Sequence, residues 1–133
     1  PRDFIPHRPP IACLDRLLEV NETCASTEQW VGNESCTVDG YLWEPGIIEG
    51  LAQTAAVVNG FVGRLSGHGE KKGLLVGVRH LRLGRSVRLG ERITYTVRLI
   101  KRLGPVTLFH CEARSMSELV AEGELKFYVE VAP

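Results

Sequence analysis

The sequence lacks any excess of charge: its 133 residues hold 16 Lys and Arg against 16 Asp and Glu. A zero net charge argues against a nucleic-acid or membrane-surface role, both of which favour a strong positive balance. Cysteine is sparse. Cys13, Cys24, Cys36 and Cys111 show no CxxC pair and no metal-like spacing. A disulfide framework is not expected at this size, and reduced thiols in the cytoplasm are. No signal peptide is visible. The longest apolar run, 47–62, is too short and too polar to span a bilayer. Repeats, low-complexity segments and linkers are absent, so a single domain over 1–133 is expected. The chain opens at Pro1 rather than methionine, and an initiator or tag is expected to have been removed.

What is present is ordinary globular material, 44% hydrophobic and 24% charged, enough to bury a core without staples. The opening PRDFIPHRPP is too rich in proline for regular helix or central strand. Residues 11–18 read as a short helix or the lead-in to a strand. Residues 19–31 read as one strand, with a break at Asn21–Glu22. The stretch 32–46 is rich in Gly, Asn, Ser and Asp and reads as loop.

A helix is expected from Pro45–Gly46 to about Leu65. The second half is all strand. LLVGVRHLRL (74–83) comes first, then ERITYTVRLI (91–100), with Ile93, Tyr95, Val97 and Leu99 on one face. VTLFHCEARS (106–115) alternates Phe109, Cys111 and Ala113 against His110, Glu112 and Arg114. In the last strand Leu119, Ala121, Gly123, Leu125, Phe127 and Val129 are expected to face inward. These last three strands form an antiparallel meander. One apolar sheet face and one long apolar helix leave a single economical packing: an α+β arrangement with the sheet wrapped around the helix.

Inside that helix stand Glu49 and, one turn on, Gln53, flanked by Ala52, Ala56 and Gly60. A carboxylate there has two readings. It is a helix-capping group in the first turn, favoured by the dipole and free N–H groups. Or it is a general acid or base in an apolar tunnel, where desolvation raises the carboxyl pKa. Tyr41 and Trp43 precede the helix, either as a lid over the core or as the lining of an acyl channel. Arg79, Arg82, Arg85, Arg88, Arg92, Arg98, Lys101 and Arg102 crowd one region, either a solvated strand face or a docking surface for an acidic partner.

Four segments resemble the hotdog-fold β-hydroxyacyl-ACP dehydratases. IPHRPPIACLDRLLEV is similar to their PHRxPxLLxDRVLEV opening, and PGIIEGLAQTAAVV to their PGVLIxEAxAQxAG helix. The strand pair from Val76 to Ala113 and LVAEGELKFYVE resemble their later strands. The order is the same over nearly the whole chain. The resemblance implies a hotdog fold, a homodimer with sheets joined edge to edge, and an acyl carrier protein or CoA thioester as substrate. It implies no metal and no cofactor.

It also implies roles for particular residues. The family's acidic helix residue matches Glu49, and its following amide matches Gln53. The family's histidine, in a GHFPxxPxxPG loop, has no counterpart, since DGYLWEPGIIEGLAQ holds none and is shorter. A divergent branch of 3-hydroxyacyl-ACP dehydratases, found with aryl-polyene pathway genes, has a similarly short loop, and Trp43, Pro45 and Glu49 resemble its pattern.

The function implied is syn elimination of water from a 3-hydroxyacyl thioester in fatty-acid or polyene biosynthesis. Glu49 is the acid/base group and His7, in PHRPP, a candidate second group. Gln53 orients Glu49. Gly46 and Ile47, at the helix N-terminus, and Tyr41 and Trp43 contact substrate, with backbone N–H groups polarising the thioester carbonyl. Two other outcomes stay open. One is a hotdog thioesterase, which needs a helix carboxylate and no histidine. The other is a non-catalytic acyl-ACP-binding subunit.

Overall fold

The computed structural model describes residues 14–32, 37–38, 41–42, 44–65, 67 and 73–129. Strand β1 (Arg16–Val20) turns into β2 (Cys24–Trp30), and the two pair antiparallel. The break expected at Asn21–Glu22 is therefore a full reversal, and the single strand expected over 19–31 is two. Asn21 explains it: its Oδ1 accepts the N–H groups of Thr23 and Cys24, both at 2.9 Å. An asparagine that bonds the backbone two and three residues ahead mimics a turn and ends the strand.

Within the stretch expected as loop, β3 (Thr37–Val38) and β4 (Tyr41–Leu42) form a two-stranded ladder. Leu42 is buried, and its N–H donates to the Val87 carbonyl at 2.7 Å, which fixes the approach to the helix. Helix α1 spans Glu44–Leu65. Four strands follow: β5 (Gly73–Leu83), β6 (Arg92–Leu103), β7 (Val106–Ser115) and β8 (Glu118–Val129). Among the described residues these join β1 and β2 in one antiparallel sheet of order β1-β2-β6-β7-β8-β5.

The alternation seen in the sequence sets the faces. Ile93, Tyr95 and Val97 of β6 and Phe109, Cys111 and Ala113 of β7 are buried on the helix side. On β8, Ala121, Gly123, Leu125, Phe127 and Val129 follow suit, but Leu119 does not. It is 38% exposed, and Val120 is buried in its place. The cause is a register irregularity between Ala113 and Arg114, which shifts the pairing by one residue at the start of β8.

Helix α1 lies against the sheet at one very close contact. A Cβ on Gly50 would fall 2.2 Å from Cζ of the Tyr95 ring. Beside it, Thr54 donates its hydroxyl to the Gly50 carbonyl at 2.8 Å, and its oxygen lies 2.7 Å from the Thr27 hydroxyl of β2. With the Thr54 proton committed to Gly50, Thr27 is the donor of that pair. The sheet covers one side of the helix, so α1 is not buried all round. Ile48, Glu49, Ala52 and Ala56 are half-exposed.

At the other end of the sheet an ionic clamp ties two connections together. Arg85 follows β5, and its guanidinium bonds Glu91 at 2.8 Å, Glu118 at 2.8 Å and the Ser115 carbonyl at 3.2 Å. It thereby braces the β7–β8 turn, where Met116 and Ser117 take φ values of 53° and 67°. Successive positive φ angles suit a tight hairpin but cost non-glycine residues conformational energy.

Gly50→Ala is expected to lower stability by about 1–3 kcal/mol through overpacking against Tyr95. Gly77→Ala, whose Cβ would meet nothing closer than Lys126 Cβ at 3.8 Å, serves as the near-neutral control. Chemical denaturation of the two variants makes the comparison.

The Arg85 clamp also sets an acid limb. Arg85, and after it the Arg88 N–H, hold the Glu91 carboxyl at about 2, against an ordinary value of 4.5. A pKa lowered by folding means stability that is complete above the ordinary value and lost as pH falls toward the folded one. Urea midpoints should therefore drop between about pH 5 and pH 2, and Glu91→Gln should flatten that part of the drop.

Candidate active site

Pro45 suits the first turn of α1, where its missing N–H would have had no helical partner. The helix begins at Glu44, so Glu49 is its sixth residue and lies in the second turn. The free N–H groups belong to the first four residues, and the dipole's influence fades beyond the first turn. The helix starts one residue before Pro45, which sets Glu49 deeper than a first-turn cap.

Instead, Glu49 meets Gln53. Gln53 Nε2 donates to Glu49 Oε1 at 2.9 Å, from a side chain that is 0% exposed. An amide fully sheltered by the fold has few rotamers open to it, so it orients the carboxylate that it holds. Glu49 itself is half-exposed, on the helix face turned away from Tyr95 and Thr27. The opposite face is anchored. Gly50 admits the Tyr95 ring, and the Tyr95 hydroxyl donates to Gln29 Oε1 on β2. The site is therefore a carboxylate on a rigidly seated helix, held by a buried amide and bordered by the small side chains of Ala52 and Ala56.

The other expected residues divide. Gly46 is buried in the first turn of the helix. Ile47 is 5% exposed and belongs to the hydrophobic core, which gives it a packing role. Tyr41 lies in β4, and its side chain lies outside the described residues, as do Trp43 and His7. Two further histidines stand away from the site. His110 alternates with Phe109 and Cys111 onto the outer face of the sheet, where its Nε2 lies 3.3 Å from Glu122. His80 is exposed on β5, at φ 53°.

Three of the eight residues of the basic cluster are paired within the fold. Arg79 pairs with Glu124, Arg85 with Glu91 and Glu118, and Arg92 with Glu28 while stacking over Trp30 at 4.4 Å. Burial pushes the Cys111 thiol up to about 12, which keeps it protonated and unreactive. Two further polar residues, Asn59 in the helix and Thr107 on β7, are buried as well. Their polar atoms interrupt apolar faces, but nothing in a linear sequence tells whether such atoms find partners.

An antiparallel sheet curved over one long helix, with a carboxylate presented from that helix, defines a hotdog protein. The family model for ApeP-like proteins, described as ApeP dehydratase, matches residues 1–132, and the chain belongs to that family. The 3-hydroxyacyl-[acyl-carrier-protein] dehydratase FabZ of Bacillus pumilus is 32% identical over 139 aligned positions, covering 96% of this chain and 92% of the relative.

Among solved structures, the dehydratase heterocomplex ApeI:P from Xenorhabdus doucetiae aligns with a TM-score of 0.88 at 20% identity. The alignment covers 97% of this chain and 90% of that one. A hypothetical thioesterase from Streptococcus pneumoniae, solved with coenzyme A, aligns with a TM-score of 0.74 at 10% identity, covering 87% and 85%. Both likenesses are of fold.

Proposed function

We propose that the protein removes water from 3-hydroxyacyl thioesters carried by acyl carrier protein or CoA, with Glu49 as its acid/base group. The observation that carries this reading is the Glu49 carboxylate itself, half-sheltered and held at 2.9 Å by the buried Gln53 amide. Family membership and the FabZ relative support the same chemistry.

The reaction breaks the C–H bond at Cα and the C–O bond at C3, and forms the double bond between them. The Glu49 carboxylate takes the Cα proton. The departing hydroxyl needs a proton to leave as water. His7 is the proposed second group that delivers it, standing in for the loop histidine that this chain lacks. The N–H groups of the first helical turn, around Gly46, polarise the thioester carbonyl as negative charge builds on it. Tyr41 and Trp43 are proposed to line the way in for the acyl chain. The reading puts the reaction in the cytoplasm and calls on no cofactor.

Assay of purified protein with 3-hydroxyacyl-ACP is expected to yield the enoyl thioester. Glu49→Gln, which keeps shape and hydrogen bonding but removes the base, should cut kcat by at least about a hundredfold. A Glu49→Gln variant at full rate would rule out the assignment. The missing loop histidine favours one competing reading, a thioesterase. Release of free thiol in place of enoyl product would decide for it.

The same reading includes a homodimer. Strand β5 is an edge of the sheet among the described residues, and it is long. Leu74, Val76 and Val78 on it are 66%, 51% and 40% exposed. A long apolar edge invites pairing, and a second copy offers a matching one. The wild type is expected to sediment as a dimer, and the double variant Val76→Lys, Val78→Lys as a monomer. A wild type that is monomeric at micromolar concentration would remove the dimer from the reading.

A further inference from the structure

Buried side-chain polar atoms in this fold are hydrogen-bonded, with three exceptions among the described residues. Asn59 Nδ2, Asn59 Oδ1 and the Thr107 hydroxyl are buried with no partner. Asn59 is 1% exposed and Thr107 is 0% exposed. Such groups are desolvated without compensation, so each lowers stability and calls for an explanation.

The three atoms are not scattered. Thr107 on β7 is the direct cross-strand partner of Phe127 on β8. Asn59 approaches the same region from the helix. A Cβ built on Gly73 would lie 3.3 Å from Asn59 Nδ2 and 3.7 Å from Phe127 Cδ1. Both Asn59 and Thr107 therefore flank Phe127, at the far end of α1 from Glu49.

The helix connects this place to the carboxylate. Glu49, Ala52, Ala56 and Asn59 follow at intervals of three and four residues, and so share one face of α1. The alanines between are small and half-exposed. Glu49 and Asn59 mark the two ends of that row. Ten residues of helix separate the two, about 15 Å, or roughly a dozen atoms of extended chain.

We propose that Asn59 and Thr107 form a polar subsite for the far end of the acyl chain. It selects chains that carry a group there able both to donate and to accept a hydrogen bond, such as a hydroxyl or an amide. The direction of the chain rests on the acyl-thioester reading of Glu49. The selectivity has a simple source. The desolvation of both side chains is already complete before ligand arrives, so a polar chain end gains its hydrogen bonds at little further cost to the protein. A methyl end gains nothing from them.

Two 3-hydroxyacyl pantetheine thioesters of equal length, about a dozen atoms, test this, one ending in a methyl group and one in a hydroxyl. The hydroxyl-ended substrate is expected to show a kcat/KM about tenfold higher, the worth of one good hydrogen bond. Asn59→Leu and the near-isosteric Thr107→Val should each erase that preference. Each should also raise the Tm of the ligand-free protein, since each removes an uncompensated polar group. Equal kcat/KM values for the two substrates in the wild type would overturn the subsite while leaving the dehydratase standing.

A second pair, unreactive pantetheine amides with the same two chain ends, is read by thermal shift of the wild type. A larger shift with the hydroxyl-ended amide, in a protein that turns over neither thioester, would uphold the subsite and remove the dehydratase. No shift with either amide, together with no turnover, would remove both.

Discussion

Helix α1 and the sheet meet at Gly50 and Tyr95, and the rest of the molecule is arranged around how closely they approach. With no Cβ on Gly50, the Tyr95 ring rests directly on the helix backbone, and its hydroxyl reaches past to Gln29 on β2. The paired hydroxyls of Thr27 and Thr54 hold the next turn to the same strand. These contacts fix the rotation of the helix about its own axis. That rotation decides which residues face the sheet and which face away. Glu49, Ala52 and Ala56 stand on the away side because Gly50 and Thr54 are committed to the other.

The electrostatic character of the site follows from its depth along the helix. One turn earlier, a carboxylate would be held by free N–H groups and the dipole, and would be structural. In the second turn those influences are weak, and one group that meets Glu49 is the Gln53 amide. An amide orients a carboxylate through a hydrogen bond and carries no charge of its own. The Arg85–Glu91 pair shows the contrast. There a guanidinium locks a carboxylate in the charged form, and the role is to hold two loops together.

Much of this was legible in the sequence, for a physical reason. Strict alternation over 93–99 and 106–115 and the long small-and-apolar run from Ile47 reflect local periodicity, which each segment carries within itself. Glu49 and Gln53 were legible because a polar pair one turn apart stands out in such a run. What escaped depends on contacts between distant segments. The reversal at Asn21 needed one side chain to outcompete the strand for its own backbone. The exchange of Leu119 for Val120 came from a slip against β7. Helix α1 starts one residue before Pro45, which carries Glu49 from the first turn into the second. That Asn59 and Thr107 lack partners is a property of the whole fold, which no single segment records.

The position of β5 in the sheet has a consequence for how the chain is made. This strand neighbours β8, which comes after both β6 and β7, and not β6, which follows it directly. A nascent polypeptide leaving the ribosome would hold this apolar ribbon without its neighbour until β6, β7 and β8 had emerged. Such non-local pairing is slow to form and open to aggregation while it waits. The short hairpins from β6 to β8 can close early, and they would present a ready template when the waiting strand returns.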